Sequence, residues 1–117
     1  MMQPAVESVC SSRVDLLFHA LGDANRRRMV SHLAERPASV SELAAVLAIS
    51  KTAIGQHLAV LEEAKLARST KLGRVRTCQI EPSGLSAVQE WINARRSMLE
   101  QQLDRLGDLL AEPDEFS

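Results

Sequence analysis

Two helix-start signals lie so close together that only a short helix and a tight turn fit between them. Ser39-Val40-Ser41-Glu42 has the spacing of a capping box: the Ser39 hydroxyl accepts from the Glu42 N–H, and the Glu42 side chain reaches back. Ser50 is a good N-cap for the next helix. The spacing therefore predicts a short helix to about Leu47, burying Leu43, Val46 and Leu47. Ala48-Ile49-Ser50 is the turn, and a second helix runs from Lys51 to about Ala64. Its inward residues are Ile54, Leu58 and Leu61, at steps of 4 and 3. Lys51, Thr52, Gly55, Gln56 and Ala59 are small or polar and fall on the outer face.

The flanking segments extend this pair. Residues 1–8 read as a loose arm, followed by a helix from about Val9 to Leu21 with Val14, Leu17, Phe18 and Leu21 at helical spacing. Gly22 and Asp23 break it. A helix from about Ala24 to Ala34 turns Met29, Val30 and Leu33 inward, and Pro37 stops it. After the paired helices the period changes. Residues 66–72 and 75–80 read as two short strands joined at Gly73-Arg74. Pro82 and Ser83 then open a last helix, 83–111, ended before Pro113. Along it Leu85, Val88, Ile92, Leu99, Leu103, Leu106 and Leu110 form one seam, with steps of 3, 4, 7, 4, 3 and 4. At 1.5 Å per residue that helix is about 40 Å long. Trp91, Met98 and Leu109 widen the seam, and Arg95 interrupts it.

The result is a mainly α chain with a β-hairpin (α+β), in the order α-α-α-α-β-β-α. That is the order of a winged helix-turn-helix, with the paired helices at 39–64 and the wing at 66–80. A length of 117 residues matches one compact domain, 1–117. Aromatics are only 3%, so aliphatic residues must build the core. Cys10 and Cys78 are far apart, form no disulfide framework and suit a reducing cytoplasm. No apolar run is long enough for a membrane span, and no signal peptide is visible.

A helix-turn-helix places its second helix in the DNA major groove, which is about 12 Å wide. The outer face of 51–63 suits that task. Ser50, Lys51 and Thr52 lie at its N-terminus, where free N–H groups favour phosphate. Gln56 can pair with a base edge, most naturally adenine. Gly55 and Ala59 keep the surface thin. The net charge of −1 gives no support for nucleic acid, but its distribution does. Lys65, Arg68, Lys71, Arg74 and Arg76 fall within 65–76 without an acid, whereas the stretch from Glu100 onward holds six acids and one base. Lys71, Arg74 and Arg76 at the wing are placed to hold phosphates or to probe the minor groove.

These residues resemble a known family. Leu17-Phe18-His19-Ala20-Leu21-Gly22-Asp23-Ala24-Asn25-Arg26-Arg27-Arg28 is similar to the opening segment of ArsR/SmtB-type repressors. Ser39–Ala44 with Ile49–Ala67 resembles their helix-turn-helix, and Gly73-Arg74-Val75-Arg76 their wing. The resemblance covers about residues 14–110. It implies a homodimer formed by the first and last helices, hence Val14, Leu17, Phe18 and Leu21 beside the long seam. It also implies a palindromic double-stranded operator and repression relieved by a signal. Gly55 stands where the family often has Ser, and Lys65 where it often has Gly. The metal-sensing members carry a Cys pair in the third helix or Asp and His ligands on the last. Here 42–46 hold no thiolate and the last helix holds no His, so the chain resembles the non-metal branch, with neither metal nor cofactor expected.

Several residues have two readings. His57 packs at the helix edge or touches DNA. His19 and His32 lack partners at ligand spacing and read as structural. Cys78 reads as a small buried hydrophobe, with a Cys10–Cys78 redox switch as the lesser alternative. The cluster Arg26-Arg27-Arg28 faces DNA or, more commonly for such a run, forms a solvated face, with Arg27 expected to turn toward the interior or an acidic partner. A rival function is a winged-helix module that docks proteins and does not bind DNA. The acidic tail and Gly55 favour it, and the one-sign wing opposes it. Nothing resembles a nucleophile-base pair, a phosphate loop or convergent carboxylates, so an enzyme is not expected.

Overall fold

The computed structural model describes residues 5–111, with side chains described from 13 to 110. The elements are α1 (Ala5–Leu21), α2 (Ala24–Glu35), β1 (Ala38–Ser39), α3 (Val40–Leu47), α4 (Lys51–Glu63), β2 (Ala67–Leu72), β3 (Val75–Ile80) and α5 (Pro82–Ala111). The expected order is present with one addition. β1 pairs antiparallel with β3, Ala38 opposite Cys78 and Ser39 opposite Thr77, so the hairpin belongs to a three-stranded sheet ordered β1-β3-β2. Two residues carry no readable alternation, which is why β1 is invisible in the sequence. The arm expected at 1–8 is corrected over 5–8, which are helical. None of those four residues is a helix breaker, whereas residues 1–4 lie outside the described residues.

Local signals set the boundaries. Asp23 caps α2 by accepting the N–H groups of Asn25 and Arg26 at 2.8 and 3.1 Å. The Arg26 N–H, more than the Asn25 N–H or the Arg26 charge, holds the Asp23 carboxyl below its ordinary pKa. The capping box of α3 is complete: Glu42 N–H donates to Ser39 Oγ at 3.0 Å, and Ser39 N–H donates to Glu42 Oε1 at 3.2 Å. Ala48 closes α3 in the left-handed region (φ 58°). Ser50 Oγ accepts from Ala53 N–H at 3.0 Å and starts α4. Lys65, also left-handed (φ 61°), ends it, with Leu66 N–H donating to Leu61 O at 2.9 Å. Gly73 (φ 63°) supplies the positive φ that a two-residue hairpin turn needs at its first position.

By its internal contacts the chain divides into two compact units, Met1–Ser86 and Ala87–Ser117. The first contains a wholly apolar core among the described residues. Met29, Leu43, Ile54, Leu58, Leu61, Leu66 and Cys78 are its largest fully buried side chains, with no aromatic ring. Val46 corrects the sequence reading: it is half exposed. Leu43 and Leu47 already fill the inward face of an eight-residue helix, and Val46 falls at its edge. In the second unit the described residues continue α5 as one helix. Arg95 lies over the Trp91 ring at 4.2 Å, and Arg96 pairs with Glu100 at 3.8 Å. Ile92, Met98, Leu99, Leu103, Leu106, Leu109 and Leu110 are exposed along it. Among the described residues no single helix is long and apolar enough to cross a membrane.

Candidate nucleic-acid interface

α3 and α4 meet at 108°, within the range of a helix-turn-helix. Ile54, Leu58 and Leu61 are fully buried and fix the roll of α4. With that face anchored, the helical period leaves Lys51, Thr52, Gln56 and Ala59 exposed, as expected, and Ser50 exposed beside them. Gly55 is half-buried, yet a Cβ built on it meets nothing within 4 Å. Nothing inside the protein requires glycine there. Any side chain at 55 would project outward.

The wing faces this surface. A groove of about 800 Å³ is lined by Lys51 and Gly55 of α4, by Ser69, Lys71, Arg74, Val75 and Arg76 of the wing, and by Ser39–Ser41. Strand alternation brings Ser69, Lys71 and Arg76 to it. Lys71 pairs with Arg76 and Ser69 with Cys78, and both pairs share one face of the sheet. Leu72 and Val75 pair on the other face and are exposed, and Val75, beside the turn, also lines the groove.

Two residues assigned to DNA contact from sequence have partners within the protein. Arg76 Nε donates to Ser69 Oγ at 3.0 Å, and its NH2 lies 3.6 Å from Glu62 Oε1. The Ser69 hydroxyl donates to Glu62 Oε2 at 2.8 Å. His57 Nδ1 lies 3.3 Å from Arg26 NH1. An arginine only donates, so Nδ1 is the acceptor and the ring proton sits on Nε2. Arg26 also donates to the carbonyls of Ala20 (2.8 Å) and His19 (3.0 Å), tying the end of α1 to α4 through His57. Arg26, not Arg27, is thus the inward member of its cluster. Arg27 is exposed and donates to Leu21 O at 2.8 Å. Glu62 and Ser69 were not singled out from sequence. Their pairing depends on how β2 leaves α4, which no spacing rule encodes.

The other residues singled out from the sequence divide between core and surface. Leu17 is 3% exposed in the core of its own chain, so it offers almost no area to a second copy. Phe18, Leu85, Ile92, Leu99, Leu103, Leu106 and Leu110 are exposed, and Val14, Leu21 and Val88 are half-buried. Cys78 is fully buried. Burial pushes its thiol pKa up and so opposes thiolate formation, outweighing the opposite pull of Arg76. The Cys10 side chain lies outside the described ones. Among the described residues no three His, Cys, Asp or Glu side chains gather as a metal site.

A protein-family profile described as a helix-turn-helix domain matches residues 21–70. The chain is 41% identical over 75 residues to the HTH-type transcriptional regulator Rv2034 of Mycobacterium tuberculosis, covering 64% of this chain and 70% of that one. The crystal structure of an ArsR family transcriptional regulator superposes with a TM-score of 0.72 at 33% identity, covering 86% of this chain and 97% of the other. The fold is also that of a homodimeric winged helix-turn-helix DNA-binding domain from Mycobacterium bovis, with a TM-score of 0.63 at 16% identity, covering 88% of this chain and 93% of that fragment. The chain therefore belongs to the ArsR family of winged helix-turn-helix, DNA-binding transcription regulators.

Proposed function

We propose that the protein is a homodimeric repressor that binds a palindromic operator in double-stranded DNA and leaves it on a signal. Each copy lays the outer face of α4 in a major groove. Gln56 reads base edges there, and Gly55 and Ala59 permit close approach. Ser50, Lys51 and Thr52 hold phosphate at the helix N-terminus, and Lys71 and Arg74 hold it from the wing. His57 and Arg76 belong to the support of this surface. The exposed α5 seam, with Val14, Phe18 and Leu21 of α1, joins the two copies, as the homodimeric relative from Mycobacterium bovis suggests. The protein works in the cytoplasm, where bacterial DNA lies.

The observation that carries the reading is the shared groove: the N-terminal half of α4 and the cationic wing residues line the same concave surface. An overall charge of only −1 with a one-sign groove favours duplex binding that is local and strongly salt-dependent. The test is enrichment of bound duplexes from a random pool by the purified full chain, with sedimentation of the complex. A recovered sequence with twofold symmetry, bound by two copies, is expected. Failure to enrich any sequence, or a 1:1 complex, would overturn the reading.

A further inference from the structure

The last turn of the recognition helix carries an acid that holds one of the wing's cations. Glu62 uses both carboxylate oxygens: Oε2 accepts from the Ser69 hydroxyl of β2, and Oε1 faces the Arg76 guanidinium of β3. Ser69 closes the ring by accepting from Arg76 Nε. Its single hydroxyl proton goes to Glu62, so the direction of every bond is fixed. Ser69 and Arg76 are diagonal neighbours on one face of the hairpin, on different strands. One carboxylate on α4 thus grips both strands of the wing.

The other cations of the groove differ. Among the described residues no ion pair joins Lys51, Lys71 or Arg74 to an acid. Arg76 alone among the groove's basic side chains is neutralised. The Glu62 and Arg76 side chains are 32% and 45% exposed, so the pair is partly withdrawn from water and less screened than a fully solvated one.

We propose that Glu62 is a specificity-determining, positioning residue: it withholds Arg76 from the phosphate backbone and sets the pitch of the wing against α4. The inference rests on the DNA-binding reading above. Sequence-independent affinity grows with each cation free to displace a counterion, whereas discrimination is the ratio of specific to non-specific binding. A wing with three free cations would raise affinity for all duplexes alike. Pairing Arg76 holds that background down and fixes the direction in which Lys71 and Arg74 approach.

The experiment is a salt titration by fluorescence anisotropy with the full chain, on a 24-base-pair duplex of random sequence and on the enriched duplex. In Glu62→Gln, Arg76 is released. The plot of log affinity against log salt on the random duplex is expected to steepen by about 0.9, the contribution of one added phosphate contact. The ratio of specific to non-specific affinity is expected to fall. Glu62→Gln with Arg76→Gln should return the slope to that of the unaltered chain. Glu63→Gln removes the same charge from an exposed neighbour outside the ring and should leave the slope in place. An unchanged slope in Glu62→Gln, an equal steepening in Glu63→Gln, or no reversal in the double variant would overturn the inference. Absence of binding by the unaltered chain would instead overturn the DNA-binding reading itself.

Discussion

The backbone N–H of Gly84 donates to the carbonyl of Lys65 at 2.8 Å, and a Cβ on Gly84 would collide with that same carbonyl. The first turn of α5 therefore sits directly on the end of α4. Helix propensity alone predicts that Gly84→Ala stabilises a helix by about 1 kcal/mol. The contact predicts the opposite, because backbone cannot move aside as a side chain can. Gly84→Ala should lower stability by about 1–3 kcal/mol in urea unfolding. A raised midpoint would show that the joint relaxes freely.

Gly55 separates stability from binding. Its added Cβ meets open space, so Gly55→Ala should stabilise the chain by about 0.5–1 kcal/mol through helix propensity. That methyl would stand on the wall of the groove facing the wing. Affinity for the enriched duplex should fall while the melting temperature rises. Unchanged affinity would show that α4 does not approach DNA through this position.

The Asp23 cap gives stability a pH dependence of known sign. Its folded-state pKa lies below the ordinary 3.8, so the unfolded chain takes up the proton first as pH falls. The stabilisation is fully present above 3.8 and is lost as pH drops through the folded value. Asp23→Asn keeps a capping oxygen but has no carboxylate. Its urea midpoint should therefore fall less between pH 5 and pH 2 than that of the unaltered chain. Equal falls would remove Asp23 from the acid response.

The α5 seam predicts an assembly effect without a folding effect. Leu103 and Leu106 are 55% and 51% exposed, so Glu at both positions creates no cavity in the core. Leu103→Glu with Leu106→Glu should shift the chain to monomer in sedimentation, with the helical signal retained, and weaken operator binding. A dimer that persists at micromolar concentration would move the interface elsewhere.

The sequence carried most of the fold because its decisive signals are local. The Ser39 and Ser50 caps, the 4-then-3 spacing of Ile54, Leu58 and Leu61, and Gly73 at the turn each act within a few residues. It was silent on β1, where two residues owe their strand state to Cys78 and Thr77 far along the chain. Leu17 and Phe18 look alike by spacing, but tertiary packing puts one in the core and leaves the other exposed. The candidate surface followed the same division. Lys51, Thr52 and Gln56 were legible because one helix face determines them. The partners of His57 and Arg76 were not, because Arg26 and Glu62 reach them only through the tertiary arrangement.

The most direct test of the central claim is a dimethyl sulfate footprint on the enriched duplex, because the reagent distinguishes guanine N7 in the major groove from adenine N3 in the minor groove. Two copies of α4 in successive major grooves predict two patches of guanine N7 protection, about one helical turn apart. Both patches should vanish in Lys51→Ala with Gln56→Ala. Protection confined to adenine N3, or a single patch, would contradict the account.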